Sequence, residues 1–318
     1  MQVALSKPVV LTHTPADAMD PVVTPDGKRI VFADGSDEYP NLTRDLYVVD
    51  IDGQNQTQLT SRPQLDWQAA VSPDGQRIAY VVEQDGKSDI YLMNADGSND
   101  HNVTNTNTGF WEPTWSPDGK QLVVTSRTQY GNLELTGIDP ASGAQTPITN
   151  TGVNNRLAHF TPDGGRIVFV SDRSQGVEQI YSMKPDGSDV HPHTPGLMFT
   201  DGMSLAPDGR VAFSGLTPAG SIDIYVVNAN DHSPPKRIER SGMALSPQFS
   251  PDGSHLVYLA NDAQMNMQIY QCKADGTDKQ ALTEGKAFNI YPRYTPDGKS
   301  LVFVNDASGK AEVCTLPL

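Results

Sequence analysis

The side chains best equipped for chemistry in this chain stand just ahead of a repeated tetrapeptide. Ser72-Pro73-Asp74-Gly75 returns as Thr24-Pro25-Asp26-Gly27, Ser116-Pro117-Asp118-Gly119, Thr161-Pro162-Asp163-Gly164, Ala206-Pro207-Asp208-Gly209, Ser250-Pro251-Asp252-Gly253 and Thr295-Pro296-Asp297-Gly298. Ahead of these copies, in corresponding positions, lie Asp20, Asp66, Trp67, Trp111, Glu112, Asn155, Arg156, Asp201, Asn289 and Tyr291. His159 and Arg293 occupy matching places closer to the turn, and Arg127 and Arg173 end the strand that follows it. Acids, arginines and aromatics brought to one concave mouth suit a polar ligand such as a sugar, a peptide or a carboxylate. Arginines fork onto carboxylates, and His159 or an acid could take a proton. Asp20, Asp66, Glu112 and Asp201 are the hard oxygen donors a Ca²⁺ ion would want if they converge. No other cofactor is called for.

Each of these residues has a plainer reading beside the chemical one. Trp67, Trp111 and Glu112 match the repeat consensus, and consensus aromatics usually pack. Arg156, Arg293 and Asp201 break the consensus on loops expected to be exposed, where function concentrates. His191-Pro192-His193 offers two imidazoles on one strand face, but His193 aligns with Leu59, Val103 and Ile148, a packing slot. There is no Gly-x-Ser-x-Gly elbow, His-Glu-x-x-His, P-loop or dinucleotide fingerprint.

The elements that must position these residues follow from the period. Successive turn prolines are 48, 44, 45, 45, 44 and 45 residues apart, a spacing that marks a repeat architecture. Pro presets φ for the second turn position, and Gly accepts the positive φ that closes the turn. Apolar, β-branched runs on either side predict a hairpin at each copy. In the second copy the expected strands are about 68–72, 77–82 and 89–93, with a fourth ending at Val103-Thr104. Four antiparallel strands in this length make a propeller blade. Tyr47, Tyr91, Tyr181, Tyr225 and Tyr270 recur on the third strand, and the fourth ends in an apolar residue plus Thr. Two irregularities are expected, a longer loop at Asp34–Arg44 and an extended outer turn at Asn230–Pro235. The last copy stops one strand short, while Val9-Val10-Leu11-Thr12 reads as a fourth strand with no blade before it. The expectation is an all-β, seven-bladed propeller of four-stranded antiparallel blades. Residues 9–12 complete the final blade, and 1–318 form one domain.

Composition narrows the function classes. The 318 residues are 37% hydrophobic and 7% aromatic, low for one central core but adequate for a stack of small sheets. The net charge of −15 argues against nucleic acid. Eleven of the 38 acidic residues are turn aspartates, so the charge is weak evidence for cation binding. No apolar run would span a membrane, and the start has no signal-peptide block, so the chain either stays inside or has lost a leader. Cys272 and Cys314 are expected to be unpaired structural thiols.

The stretch Trp111-Glu112-Pro113-Thr114-Trp115-Ser116-Pro117-Asp118-Gly119, with Ile90-Tyr91-Leu92-Met93-Asn94-Ala95-Asp96-Gly97-Ser98-Asn99, resembles the TolB-type β-propeller. The likeness covers nearly the whole chain. It implies a fold shared by periplasmic TolB, by gating domains of prolyl-oligopeptidase-like and tricorn peptidases, and by oligogalacturonate lyases. The chain departs from TolB in having seven copies where six are expected and no N-terminal α/β domain. Two functions follow as expectations. The first is a non-enzymatic module, a monomer binding a protein or peptide partner, in the periplasm or secreted. The second is a carbohydrate-active lyase or hydrolase acting on an oligosaccharide at the channel mouth through Arg156, Arg293, His159 and nearby acids. The lyase-type propellers place several histidines on the channel, whereas His159 is the one candidate here.

Overall fold

The computed structural model describes residues 7–14, 16–36, 42–106, 108–231, 233–240 and 242–318. Part of the loop expected at Asp34–Arg44, His232 in the expected outer turn and the first six residues lie outside the described residues.

Each tetrapeptide makes the turn its residues dictate. In the second copy Gly75, at φ 70°, donates its N–H to Ser72 O at 2.8 Å. Ser72 Oγ accepts Arg77 N at 2.9 Å and donates to Asp74 Oδ1 at 2.6 Å, and Asp74 accepts Gln76 N. The aspartate is thus turned into its own turn, and these hydrogen bonds hold its carboxyl below the ordinary range. Adjacent turns are latched: Arg77 Nη2 reaches Gly119 O at 2.9 Å and Arg210 Nη2 reaches Gly253 O at 2.7 Å. Each guanidinium also stacks on the aromatic of the next repeat, Trp115 or Phe249.

The described chain is all β, without helices, and its strands form antiparallel four-stranded sheets, each of consecutive strands except the last, which takes in Val9–Val10. The first two are joined into one eight-stranded sheet by a single parallel bridge, Arg44 to Leu65. Strands in the second repeat run longer than the spacing predicts, Leu65–Val71, Arg77–Gln84 and Lys87–Asn94. The link between the second and third of these strands is a tight turn, because Asp85 and Gly86 both adopt positive φ, as a two-residue hairpin requires. The fourth strand is only His101–Asn102. The recurring tyrosines stack across the sheet on second-strand aromatics, Tyr47 on Phe32 at 5.7 Å and Tyr225 on Phe213 at 5.7 Å.

Apolar burial lies between sheets. One cluster joins Val168 and Val170 of the fourth repeat to Phe199 and Phe213 of the fifth; another joins Ala212 and Ile224 to Leu256 and Tyr258 of the sixth. A cluster of the same kind sets Leu11, Val302, Val304 and Val313 against Ala18, Ile30 and Phe32 of the first repeat. Val9 and Val10 pair with Thr315 and Cys314 of the final strand, and Leu11 N donates to Val313 O at 2.9 Å.

Candidate functional site

One backbone device sets the direction of the site residues. The innermost strand of every repeat breaks register, and five residues before each turn proline the chain takes positive φ. The residues are Asp20, Gln68, Glu112, Leu157, Gly202, Ser246 and Tyr291, with φ between 49° and 58°. These are β-bulges, which re-aim the side chain they carry. Six of the seven are not glycine, and a non-glycine residue at such φ is strained by order 1 kcal/mol. Gly202 has no alternative, since a Cβ there would sit 2.6 Å from Ser246 Cα.

Several bulge side chains are spent on the neighbouring repeat. Gln68 Oε1 accepts Glu112 N at 2.9 Å, and Glu112 Oε2 accepts Leu157 N at 2.8 Å and Thr125 Oγ1 at 2.7 Å. Asp201 Oδ2 accepts Ser246 Oγ at 2.7 Å. Arg156 is clamped in both directions by Glu178, at 2.8 and 2.7 Å. Trp67 and Trp111 pack against the cluster between the second and third repeats, and Arg127 lies over the Trp111 ring at 5.0 Å. Arg173 donates to Ser171 and to Asn155 and stacks on Tyr181.

Asp66 is not at the mouth. Its side chain is fully buried at the corner between the first and second repeats, with Arg62 Nε 3.4 Å away. Burial pushes its carboxyl up to about 6, against the Thr60 hydroxyl and the Arg62 charge. The corner is a recurring knot that residue spacing did not reveal. A fourth-strand Thr accepts a third-strand N–H and donates to the acid or amide just before it. Thr104 does so between Ile90 N and Asp89, Thr149 between Leu135 N and Glu134, and Thr283 between Ile269 N and Gln268. Asn155 and Asn289, equivalent to Asp66, donate into their knots. Asp66 instead brings a second carboxylate beside Asp45, which raises its pKa further.

His159 and Arg293 stand on the first strands of the fourth and seventh repeats, Asn155–Phe160 and Asn289–Tyr294. Among the described residues neither side chain has a hydrogen-bond or ion-pair partner. Arg293 keeps much of its surface accessible. His159 is pushed down to about 4, first by the protein packed round it and then by the Arg293 charge, so it is neutral at pH 7. Asp20, Tyr291 and Arg293 lie within electrostatic range of one another.

No group of three or more His, Cys, Asp or Glu among the described residues converges as metal ligands. Asp20, Asp66, Glu112 and Asp201 therefore do not form the oxygen cage that a Ca²⁺ reading required. His191 and His193 have separate partners, Asp189 Oδ1 and Ser182 Oγ, and His193 is buried. Cys272 and Cys314 are buried free thiols, each pushed up to about 12 by burial. No helix of the described residues is long and apolar enough to cross a membrane.

The chain is similar to a TolB homolog of Chlorobium luteolum, 28% identical over 156 residues, 49% of this chain and 35% of that protein. A TolB homolog of Chlorobaculum tepidum is 30% identical over 123 residues, 38% of this chain and 27% of that protein. The match thus spans about a third of these relatives' length. Among solved structures, an oligogalacturonate lyase from Vibrio parahaemolyticus superposes with a TM-score of 0.80 at 16% identity, covering 98% of this chain and 93% of that one. TolB from Acinetobacter baumannii superposes with a TM-score of 0.61 at 22% identity, covering 87% and 66%. At these identities the superpositions speak for the fold alone. A family model described as the TolB beta propeller domain matches residues 1–129, 42–210 and 198–318, and the chain belongs to that family.

Proposed function

We propose that the seven repeats close into one ring, a single domain, and that the ring is a binding module for a protein or peptide partner. The partner docks on the face made by the loops that enter each innermost strand and those that follow each second strand. Closure is supported by the pairing of Val9–Val10 with the last strand and by the apolar cluster that joins first and last repeats. In this reading the module is a monomer and works in the periplasm or outside the cell, as its kinship with TolB proteins suggests.

The observation that carries the binding reading is where exposed apolar side chains fall. Among the described residues, eight of the twelve exposed large apolar side chains, Leu42, Tyr130, Val177, Met198, Met243, Met265, Phe288 and Tyr291, lie on this loop face or at its mouth, Tyr130 being 84%, Met265 75% and Phe288 51% exposed, while Val9, Val10, Val190 and Leu318 lie elsewhere. A cleft of about 480 Å³ between the fourth and fifth repeats is walled there by Val177, Met198, Leu216 and Pro218. Apolar groups gathered on one face mark an interaction surface, and methionines adapt to varied partners. By contrast, the acids and arginines nearest the mouth are largely committed to internal bonds.

The test is selection of binders from a random peptide library, followed by hydrogen exchange of the chain with a selected peptide. Protection should concentrate in the loops around 130, 177, 198, 265 and 288. Protection only at the turns or outer strands, or no selectable binder, would overturn the reading.

The alternative is a lyase acting on oligosaccharide uronates. It is favoured by one observation, a neutral and unpartnered His159 within electrostatic reach of the unpartnered Arg293. Incubation with oligogalacturonate and ultraviolet detection of an unsaturated product decides it: steady formation, abolished by His159→Ala, would replace the binding reading.

A further inference from the structure

The channel has a second end, and its chemistry differs from that of the loop face. Where the innermost strands run into their turns there is a cleft of about 360 Å³, at the small end of the roughly 300–1,000 Å³ of ligand pockets. Residues of five repeats line it. Val22, Val23, Leu205 and Phe249 form an apolar wall, and the turn prolines Pro162, Pro207, Pro251 and Pro296 form a rim. Arg293 is its one charged lining residue.

Among the described residues no side chain pairs with that charge directly, although Asp20 acts on it from a distance. The carboxylates beside the rim are folded into their own turns: Asp163 on Thr161 and Gly165 N, Asp252 on Ser250 and Ser254 N, Asp297 on Thr295 and Lys299 N, and Asp208 against Arg210. Nor does the inner ring of turns repel an anion. Its seven aspartates are matched by Lys28, Arg29, Arg77, Lys120, Arg166, Arg210 and Lys299 in the two positions after the turn glycines, although the whole chain carries −15. The guanidinium is exposed among apolar side chains and makes no direct ion pair with the described residues, and a carboxylate would supply two charge-assisted hydrogen bonds in a matching fork.

We propose that the turn end of the channel is a binding site for a small amphipathic monocarboxylate, its apolar part against the proline rim and Phe249 and its carboxylate on Arg293. Apolar side chains make up much of the lining, with Gln248, Ser250 and Tyr294 as its other polar residues, so the cleft offers hydrocarbon for an acyl or aryl chain beside Arg293 for its carboxylate. The inference is independent of the loop-face reading and survives its failure.

Calorimetric titration of the full chain tests it, with 4-phenylbutanoate, its primary amide and inorganic phosphate as probes. Saturable binding of the acid, about tenfold or more tighter than the amide and with phosphate unable to compete, is the expected result. Arg293→Gln should weaken the acid about tenfold or more, Arg293→Lys less so, and Val22→Trp should block it by filling the cleft with Arg293 intact. A blocked dipeptide with a free C-terminal phenylalanine, run beside the acid, separates a peptide end from a free acid as the natural source. Equal binding of acid and amide, undiminished binding by folded Arg293→Gln, effective competition by phosphate, or no saturable binding of either carboxylate would overturn the proposal. Should Val22→Trp fail to fold, the amide comparison and the two Arg293 variants still decide.

Discussion

The two ends of each innermost strand are made by opposite rules. At the turn end the side chains repeat, and so do their bonds: a Ser or Thr hydroxyl, an aspartate and a glycine close the hairpin the same way in six copies. The fifth copy, with Ala206, ties its aspartate to Arg210 instead. At the loop end the backbone repeats but the side chains do not. The bulge recurs five residues before every turn proline, yet it carries Asp, Gln, Glu, Leu, Gly, Ser and Tyr in turn. Constant bonds make a frame, and a constant backbone with changing side chains makes a surface that can be specific. Within the loop end a second division appears, between corner knots that hold neighbouring strands and side chains, such as His159, that no bond holds among the described residues.

The sharpest way to break this division is to attack a knot. Glu134 accepts from Thr149, from Thr151 N and Oγ1, from Gly152 N and from Asn155. Glu134→Ala should lower stability by about 3 kcal/mol in urea denaturation, because several buried donors lose their acceptor together. A loss below about 1 kcal/mol would remove the knots from the frame.

Asp66 tests the same corner with the opposite sign. Its folded pKa, about 6, lies above its unfolded value, so its protonated form is favoured by folding. That stability is fully present below about pH 4 and is lost as pH rises through 6. Asp66→Asn, which supplies the amide found at Asn155 and Asn289, should raise stability at pH 7.5 by about 1–2 kcal/mol. The gain should fade on acidification from pH 6 towards 4.

The turn end should behave uniformly. Ser72→Ala, Ser116→Ala and Ser250→Ala should each lower stability by about 1 kcal/mol and agree within about half of that. Large scatter among them would mean that the turns are not interchangeable.

The smallest effect lies between His159 and Arg293. Arg293→Gln removes one of the two causes that lower the His159 pKa, so the imidazole should titrate higher, by a fraction of a unit, in an NMR pH series. An unmoved titration would separate the two residues.

How far these regions were legible in the sequence follows from the same contrast. The turns were legible because their chemistry is local: Pro, Asp and Gly act within four residues. The pairing of Val9–Val10 with the end of the chain was legible because a strand was missing from one terminus and surplus at the other. The bulge was not read, since its residue type changes, although a signal was present. Proline follows it at Pro21, Pro113, Pro247 and Pro292, and a proline inside a strand points to a bulge or an edge. The corner knots escaped because Thr104 and Asp89, or Thr149 and Glu134, are fifteen residues apart and meet only across the sheet. That is why spacing alone groups Asp66 with the mouth residues when its side chain belongs to a corner. The partners that hold Arg156 and Glu112, namely Glu178, Leu157 N and Thr125, come from other strands or the next repeat and so escape a reading by spacing.

The account depends on seven innermost strands surrounding one channel, which requires the first strand to be fastened to the last within a single chain. Val10 stands opposite Cys314, and because Leu11 N bonds Val313 O the pair lies between hydrogen-bonded rungs, where Cα atoms are about 4.5 Å apart and a disulfide can form. Val10→Cys under mild oxidation, read by peptide mass mapping on the monomer fraction, should give a disulfide between residues 10 and 314. Free thiols at both positions, or a link found only between two chains, would contradict the ring.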